Sequence, residues 1–112
     1  MIRGTAQNPD VFFQAREACQ PYYEACPAVV QDVFDRFAQR TGRAYHLFDY
    51  TGHPAAERVI VAMGSGAETV REAARWLAQH GEKVGVISPN ILRPFPSAEF
   101  RAALRHVKGA TV

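Results

Sequence analysis

The sequence predicts an α/β fold, a helical segment followed by a partial parallel β-α-β-α unit, and three observations carry that prediction. Val59-Ile60-Val61-Ala62-Met63 is an unbroken apolar run of the kind found in a strand covered on both faces. Gly64-Ser65-Gly66 turns out of it into a stretch with Val70, Ala73, Ala74 and Leu77 on one side and Glu68, Arg71, Glu72 and Arg75 on the other. A second apolar run, Val84-Gly85-Val86-Ile87, follows Gly81.

The 112 residues carry a formal net charge of +2, with 47% hydrophobic and 21% charged residues, which suits one soluble domain or pieces of two. The pI is near 8.7, but no run of Lys or Arg forms a nucleic-acid patch. No apolar run reaches the ~20 residues that span a bilayer. The segment Met1-Ile2-Arg3-Gly4 lacks the apolar core of a secretory signal. A cytoplasmic protein without nucleic-acid or membrane partners is the expectation.

Asn8-Pro9-Asp10 reads as a helix start, with Asn8 as cap, Pro9 at the first helical position and Asp10 at the positive end of the dipole. Val11, Phe12, Ala15, Ala18 and Cys19 continue it, and Pro21 is expected to end it. Pro27 starts a second predicted helix, with Val29, Val30, Val33, Phe34, Phe37 and Ala38 on its apolar side, closed by Thr41-Gly42. Residues 45–50 read as an extended aromatic segment, and Thr51-Gly52-His53-Pro54 has linker chemistry. The domain division expected is therefore 1–50, a linker at 51–57, and 58–112.

In the second part the helix runs from about Ala67 to Gln79 and ends at Gly81. Residues 89–96 form a proline-rich loop. Ser97, Phe100, Ala103 and Leu104 mark a third helix, and Ala110-Thr111-Val112 begins a strand. A parallel sheet of two complete strands would have open edges, so the chain is expected to need a partner or a continuation.

Candidate chemistry is sparse. Gly64, Ser65 and Gly66 stand where backbone amides could approach a phosphate at a helix N-terminus, and are the weak candidates for cofactor binding. The third glycine of G-x-G-x-x-G is missing, Ser88 and Asn90 stand where a ribose-binding acid belongs, and the same turn also serves simply to join strand to helix. Cys19 and Cys26 are seven residues apart, with Pro21 and Pro27 expected to break any shared helix face, and read as free thiols. His46, His53, His80 and His106 lack ligand spacing, His80 suiting the last turn of its helix. No catalytic residue and no metal ligand is assigned. Arg93, in Arg93-Pro94-Phe95-Pro96 beyond the second strand, is a candidate anion or interface residue.

Arg3-Gly4-Thr5-Ala6-Gln7-Asn8-Pro9-Asp10, Phe12-Phe13-Gln14 with Arg16-Glu17, Thr41-Gly42-Arg43 and Leu47-Phe48-Asp49-Tyr50 together resemble the pyruvate:ferredoxin (flavodoxin) oxidoreductase family. The resemblance continues through Ala56-Glu57-Arg58-Val59-Ile60-Val61, Met63-Gly64-Ser65-Gly66-Ala67-Glu68-Thr69, Gly81-Glu82-Lys83-Val84-Gly85-Val86 and Arg93-Pro94-Phe95. One departure is Ser88-Pro89-Asn90-Ile91-Leu92, where many members carry a Lys- or Arg-bearing stretch.

The resemblance implies an enzyme that oxidatively decarboxylates pyruvate to acetyl-CoA. It would use thiamine diphosphate, magnesium, iron–sulfur clusters and CoA, and pass electrons to ferredoxin or flavodoxin, as a homodimer. Residues 1–50 would then end the pyrimidine-binding thiamine domain, and 58–112 would begin a domain like the carboxy-terminal domain of transketolase. The family's cysteine runs and its Gly-Asp-Gly…Asn signature are not in this sequence, so the resemblance implies a fragment that binds none of those cofactors alone. Arg3, Asn8 and Arg93 become contact candidates towards the remaining domains or subunits. A different reading stays open, a small stand-alone nucleotide- or CoA-binding β-α-β module that uses Gly64, Gly66 and Arg93.

Overall fold

The computed structural model describes residues 6–112 and orders them as α1 (Pro9–Thr41), β1 (Phe48–Gly52), β2 (Arg58–Val61), α2 (Ser65–Gln79), β3 (Val84–Pro89), α3 (Ser97–Ala103) and β4 (Gly109–Thr111). The four strands form one sheet in the order β1-β3-β2-β4. β2 pairs in parallel with β3 and β4, and β1 pairs antiparallel to β3. The α/β class expected from sequence is the class found, but the sheet is mixed. The aromatic segment supplies its edge strand, and Thr51 and Gly52, expected in the linker, are the end of that strand.

Strand order fixes where the helices go. From β2 to β3 the chain steps one way along the sheet, and from β3 to β4 it steps back past β2. Two right-handed crossovers in opposite directions put their helices on opposite faces. Val59, Ile87 and Ala56 make the core on one face, under Phe48, Phe100, Leu104 and Val107. Phe95 and Phe100 pack edge-on at 5.1 Å, and Phe48 meets both rings. On the other face Val84 and Val86 lie beneath Val70, Ala73 and Leu77 of α2.

The strand buried on both faces is β3, from Gly85 to Pro89, rather than the apolar run at 59–63. Ile60 is 44% exposed and Met63 52%, because among the described residues no other element lies beside α2 over β2 and β4. Period-2 burial decides this, since Val59 and Ile60 point to different faces and only one of those faces is fully covered. Gly85 is bare for a reason. The ring of Tyr50 lies over it, where a Cβ would collide with the phenol. The Tyr50 hydroxyl donates to the His53 carbonyl, and burial pushes its pKa up.

At the opposite edge of the parallel strands, Glu57 ties three strand starts together. Its carboxylate accepts from Lys108 at 2.8 Å and Lys83 at 3.3 Å, and its carbonyl accepts from the Lys108 amide. The Lys108 hydrogen bond, then that of Lys83, holds the Glu57 carboxyl below its usual range.

The largest correction is α1. It is one continuous helix of 33 residues, with Pro21 and Pro27 inside it, where the sequence predicts two helices. Each proline removes one amide donor, to the carbonyls of Glu17 and Tyr23 respectively. No residue of α1 is buried, so water can take the freed carbonyls, and turns on either side remain hydrogen-bonded. Gln20 donates to Glu24 across Pro21, and Arg16 sits 5.3 Å from the Tyr23 ring centre. Gly42 caps the helix as expected, its amide donating to the Ala38 carbonyl at 2.8 Å. Asn8 holds the N-cap position but makes no side-chain cap bond, and its carbonyl accepts from Phe12 instead.

Among the described residues, the C-terminal half of α1 is the part that touches the sheet domain, through one small clasp. The Gln31 side chain accepts from the Leu47 amide at 3.2 Å and donates to the Tyr45 carbonyl at 3.3 Å. Phe34 and Phe37 pack on the Tyr45 ring at 6.1 and 6.0 Å. From the sheet side Asn90 donates to the His46 carbonyl at 2.8 Å, and its amide to the Leu47 carbonyl at 3.0 Å. The N-terminal half projects away, and the molecule measures 60 × 35 × 24 Å.

Because the prolines are tolerated rather than favoured, replacing one should strengthen the helix. Pro21→Ala is expected to raise helical ellipticity at 222 nm and to stabilise α1 by about 1–3 kcal/mol. Unchanged or lower helicity would mean that Pro21 contributes something beyond an absent donor.

Candidate functional site

In an open α/β sheet the crevice beyond the carboxyl ends of the strands forms where neighbouring connections leave to opposite faces. Here the β2 connection rises through Gly64-Ser65-Gly66 into α2, while the β3 connection descends through residues 90–96 to α3. The ladder runs one residue past β2, with the Ala62 amide donating to the Ile87 carbonyl at 3.1 Å, and the chain then turns sharply.

Gly64 makes that turn. Its φ of +79° and ψ of −160° lie where side-chain-bearing residues are strained. Gly66 is different, being the second residue of α2 with open space where a Cβ would stand. The expected glycine turn therefore contains one glycine required by backbone geometry and one that is not.

The charges of the crevice are already committed. Arg71, nearly two turns into α2, donates through Nη1 to Glu68 at 2.6 Å and through Nε to the Ser88 hydroxyl at 3.2 Å. Ser88 is the one buried polar residue among the described residues, at 2% exposure, and this bond satisfies it. Glu68 sits in the first turn of α2, where the dipole favours an anion. The helix start that could face a phosphate thus carries its own carboxylate and a paired guanidinium.

A second polar group lies at the same end of the sheet, on the far side of β3. Asp49 accepts from Asn90 Nδ2 at 2.6 Å and from the His46 amide at 3.3 Å, and His46 Nδ1 stands 3.3 Å from the same carboxylate. These bonds hold the turn into β1. Sequence reading noted Asn90 only as standing where a ribose-binding acid belongs, and missed Gln31 altogether. The available signal for Gln31 was a single polar residue among Val30, Phe34 and Ala38 on an otherwise apolar helix side.

The expected site residues are not brought together. Arg93 is exposed, on the loop that descends to α3, whereas Gly64, Ser65 and Gly66 rise to α2. Asn8 lies at the far end of α1, and Arg3 lies outside the described residues. His80 caps α2, its Nδ1 2.7 Å from the Trp76 carbonyl and its ring stacked on Trp76 at 4.0 Å. Cys19 and Cys26 are free thiols. The continuous helix places them on one face, contrary to the expectation that the prolines separate them.

The fold defines a class first: an open, mixed α/β sheet with helices on both faces and the edge strand antiparallel. Residues 56–112 match the family described as pyruvate:ferredoxin oxidoreductase core domain II. The chain belongs to the pyruvate:ferredoxin oxidoreductase family. It is 63% identical over 104 residues to a pyruvate-flavodoxin oxidoreductase of Rhodospirillum rubrum, covering 93% of this chain and 9% of that protein. It is 61% identical over 104 residues to the pyruvate-flavodoxin oxidoreductase of Trichormus variabilis, with the same shares. It is 54% identical over 102 residues to the pyruvate:ferredoxin oxidoreductase of Moorella thermoacetica, covering 91% of this chain and 9% of that protein. The chain spans about a tenth of the length of these relatives.

Two substitutions separate turn geometry from ligand binding. Gly64→Val is expected to cost about 1–2 kcal/mol in urea denaturation, since it forces a β-branched residue to positive φ. Gly66→Val should stay within about 1 kcal/mol of the parent, the difference in helix propensity being small. Equal losses for both would contradict the assignment of the turn to Gly64.

Proposed function

We propose that this chain is a scaffolding and domain-docking segment of a 2-oxoacid oxidoreductase that converts pyruvate to acetyl-CoA. Residues 1–50 would close the pyrimidine-binding thiamine domain and residues 58–112 open the transketolase-like domain, joined at 51–57. The observation that carries the docking role is α1, 33 residues without one buried, with Phe12, Phe13 and Tyr22 each more than half exposed. Apolar surface of that extent on a helix calls for a covering surface. The longer protein supplies it, as a cytoplasmic homodimer that passes electrons to ferredoxin or flavodoxin. Arg3, Asn8 and Arg93 would contact neighbouring domains.

Thiamine diphosphate, magnesium, iron–sulfur clusters and CoA belong to the parent enzyme. The thiols present do not fit a cluster, since Cys19 and Cys26 are two turns apart on a helix, about 10 Å along its axis. No three metal-ligating side chains converge among the described residues. No chemical step is therefore assigned to residues of this chain.

The purified 112-residue chain is expected to reduce no viologen dye when given pyruvate, CoA, thiamine diphosphate and magnesium. Grafted in place of the matching residues of the Rhodospirillum rubrum relative, it should support pyruvate-dependent reduction. Reduction by the isolated chain would overturn the proposal. Saturable binding of CoA or NAD that Gly66→Val abolishes would replace it with the stand-alone binding module.

A further inference from the structure

α1 carries a seam that the sheet does not use. Phe12, Cys19, Cys26 and Val33 recur every seven residues, and Ala15, Tyr22 and Val29 each follow three residues after one of them. That is a strict two-position heptad sustained for three repeats, without a charge on it, and it passes through both prolines in a helix that stays continuous. The side turned towards the sheet and the Tyr45 segment is set by Gln31, Phe34 and Phe37; Gln31 lies about 140° around the helix from Cys26, Phe37 about 20°. The C-terminal end of the seam therefore borders the Tyr45 contact, while its Phe12–Tyr22 stretch, on the half of α1 that projects away, meets neither α3 nor the strands. Tyr22 is 79% exposed on it, Val29 58% and Phe12 55%.

We infer that this seam is the seat of one apolar α-helix from another part of the longer polypeptide, packed along α1 as in a coiled coil. A period of 3.5 residues keeps in register only with a second helix, because each knob must meet a hole one heptad on. A sheet face or loop would impose no such period. The small residues Ala15, Cys19 and Cys26 permit close approach of the incoming helix, while Phe12, Tyr22 and Val29 supply the bulk to be covered. The uncharged seam selects an apolar partner face. The relatives hold roughly ten times more chain than is matched here, which is the source of the occupant. This inference rests on the docking role proposed above and names the surface.

The seam contains its own probes, Cys19 and Cys26. Their reaction with a maleimide is followed in the isolated 112-residue chain and in the graft into the Rhodospirillum rubrum relative, with light scattering to give the mass of the isolated chain. Both thiols should react at least tenfold more slowly in the graft, and the isolated chain should be a monomer with both thiols open. Equal rates would overturn the inference by leaving the seam bare. Protected thiols in a dimer of the isolated chain would overturn it by giving the seam to a second copy. Equal thiol rates in a graft that still oxidises pyruvate would sink the seam and leave the proposed function standing. Protected thiols in an inactive graft would do the reverse.

Discussion

Two side-chain amides hold this protein in one piece. Residues 45–47 are too short to form a strand with α1, and their backbone polar groups lie where α1 meets the sheet. Gln31 reaches from the helix and satisfies one donor and one acceptor of that segment, as a neighbouring strand would. Asn90 reaches from the end of β3 and satisfies two carbonyls with its side chain and main chain. Leu47 is the buried member of that segment, and an amide left without a partner there costs about 1–3 kcal/mol, so Gln31 matters most at that N–H, while the bonds to the exposed Tyr45 and His46 carbonyls contribute less. The direction of α1, and with it the position of everything α1 carries, depends on that clasp.

Around β3 the physics is more ordinary. It is paired on both edges and covered on both faces, and opposite crossovers follow from its place between β1 and β2. Tyr50 over Gly85 locks the antiparallel edge, and Glu57 with Lys83 and Lys108 gathers the other end. The far side of β2 and β4 has no comparable cover. Ile60, Gly109 and Thr111 line an open groove of about 430 Å³ beside α2. The sheet is thus well determined on the β1 side and unfinished in packing on the β4 side, while α1 extends from the better determined edge.

Much of the fold was legible because its signals are local. Apolar runs gave β2 and β3, the Gly42 cap ended α1, and the alternation of charged and small residues gave α2. The errors came from long-range terms. Pro21 and Pro27 read as breaks because an interior proline normally costs about 3 kcal/mol, and sequence does not show that no residue of the helix around them is buried. Thr51 and Gly52 carry linker chemistry, yet they pair with β3 because Tyr50 beside them packs over Gly85. The run at 59–63 looked buried on both faces, whereas the residues that would cover Ile60 are absent from its neighbourhood. The candidate site was less legible still. Gly64 was found and its geometry needs glycine, but the pairing of Arg71 with Glu68 and Ser88 depends on a helix crossing a strand end seventeen residues away. Gln31 and Asn90 were missed as a pair because their shared target is backbone.

The docking role proposed above rests on the apolar surface that α1 leaves uncovered. The clasp joins that surface to the folded sheet, since it holds the exposed helix in place. The most direct test is amide hydrogen exchange at Leu47, whose N–H donates to Gln31 and to nothing else in the fold. If the clasp governs the joint, that amide is protected to a degree comparable with β3, and Gln31→Leu abolishes its protection while leaving β3 protected. Exchange of the Leu47 amide at the rate of an open loop in the parent protein would contradict the account.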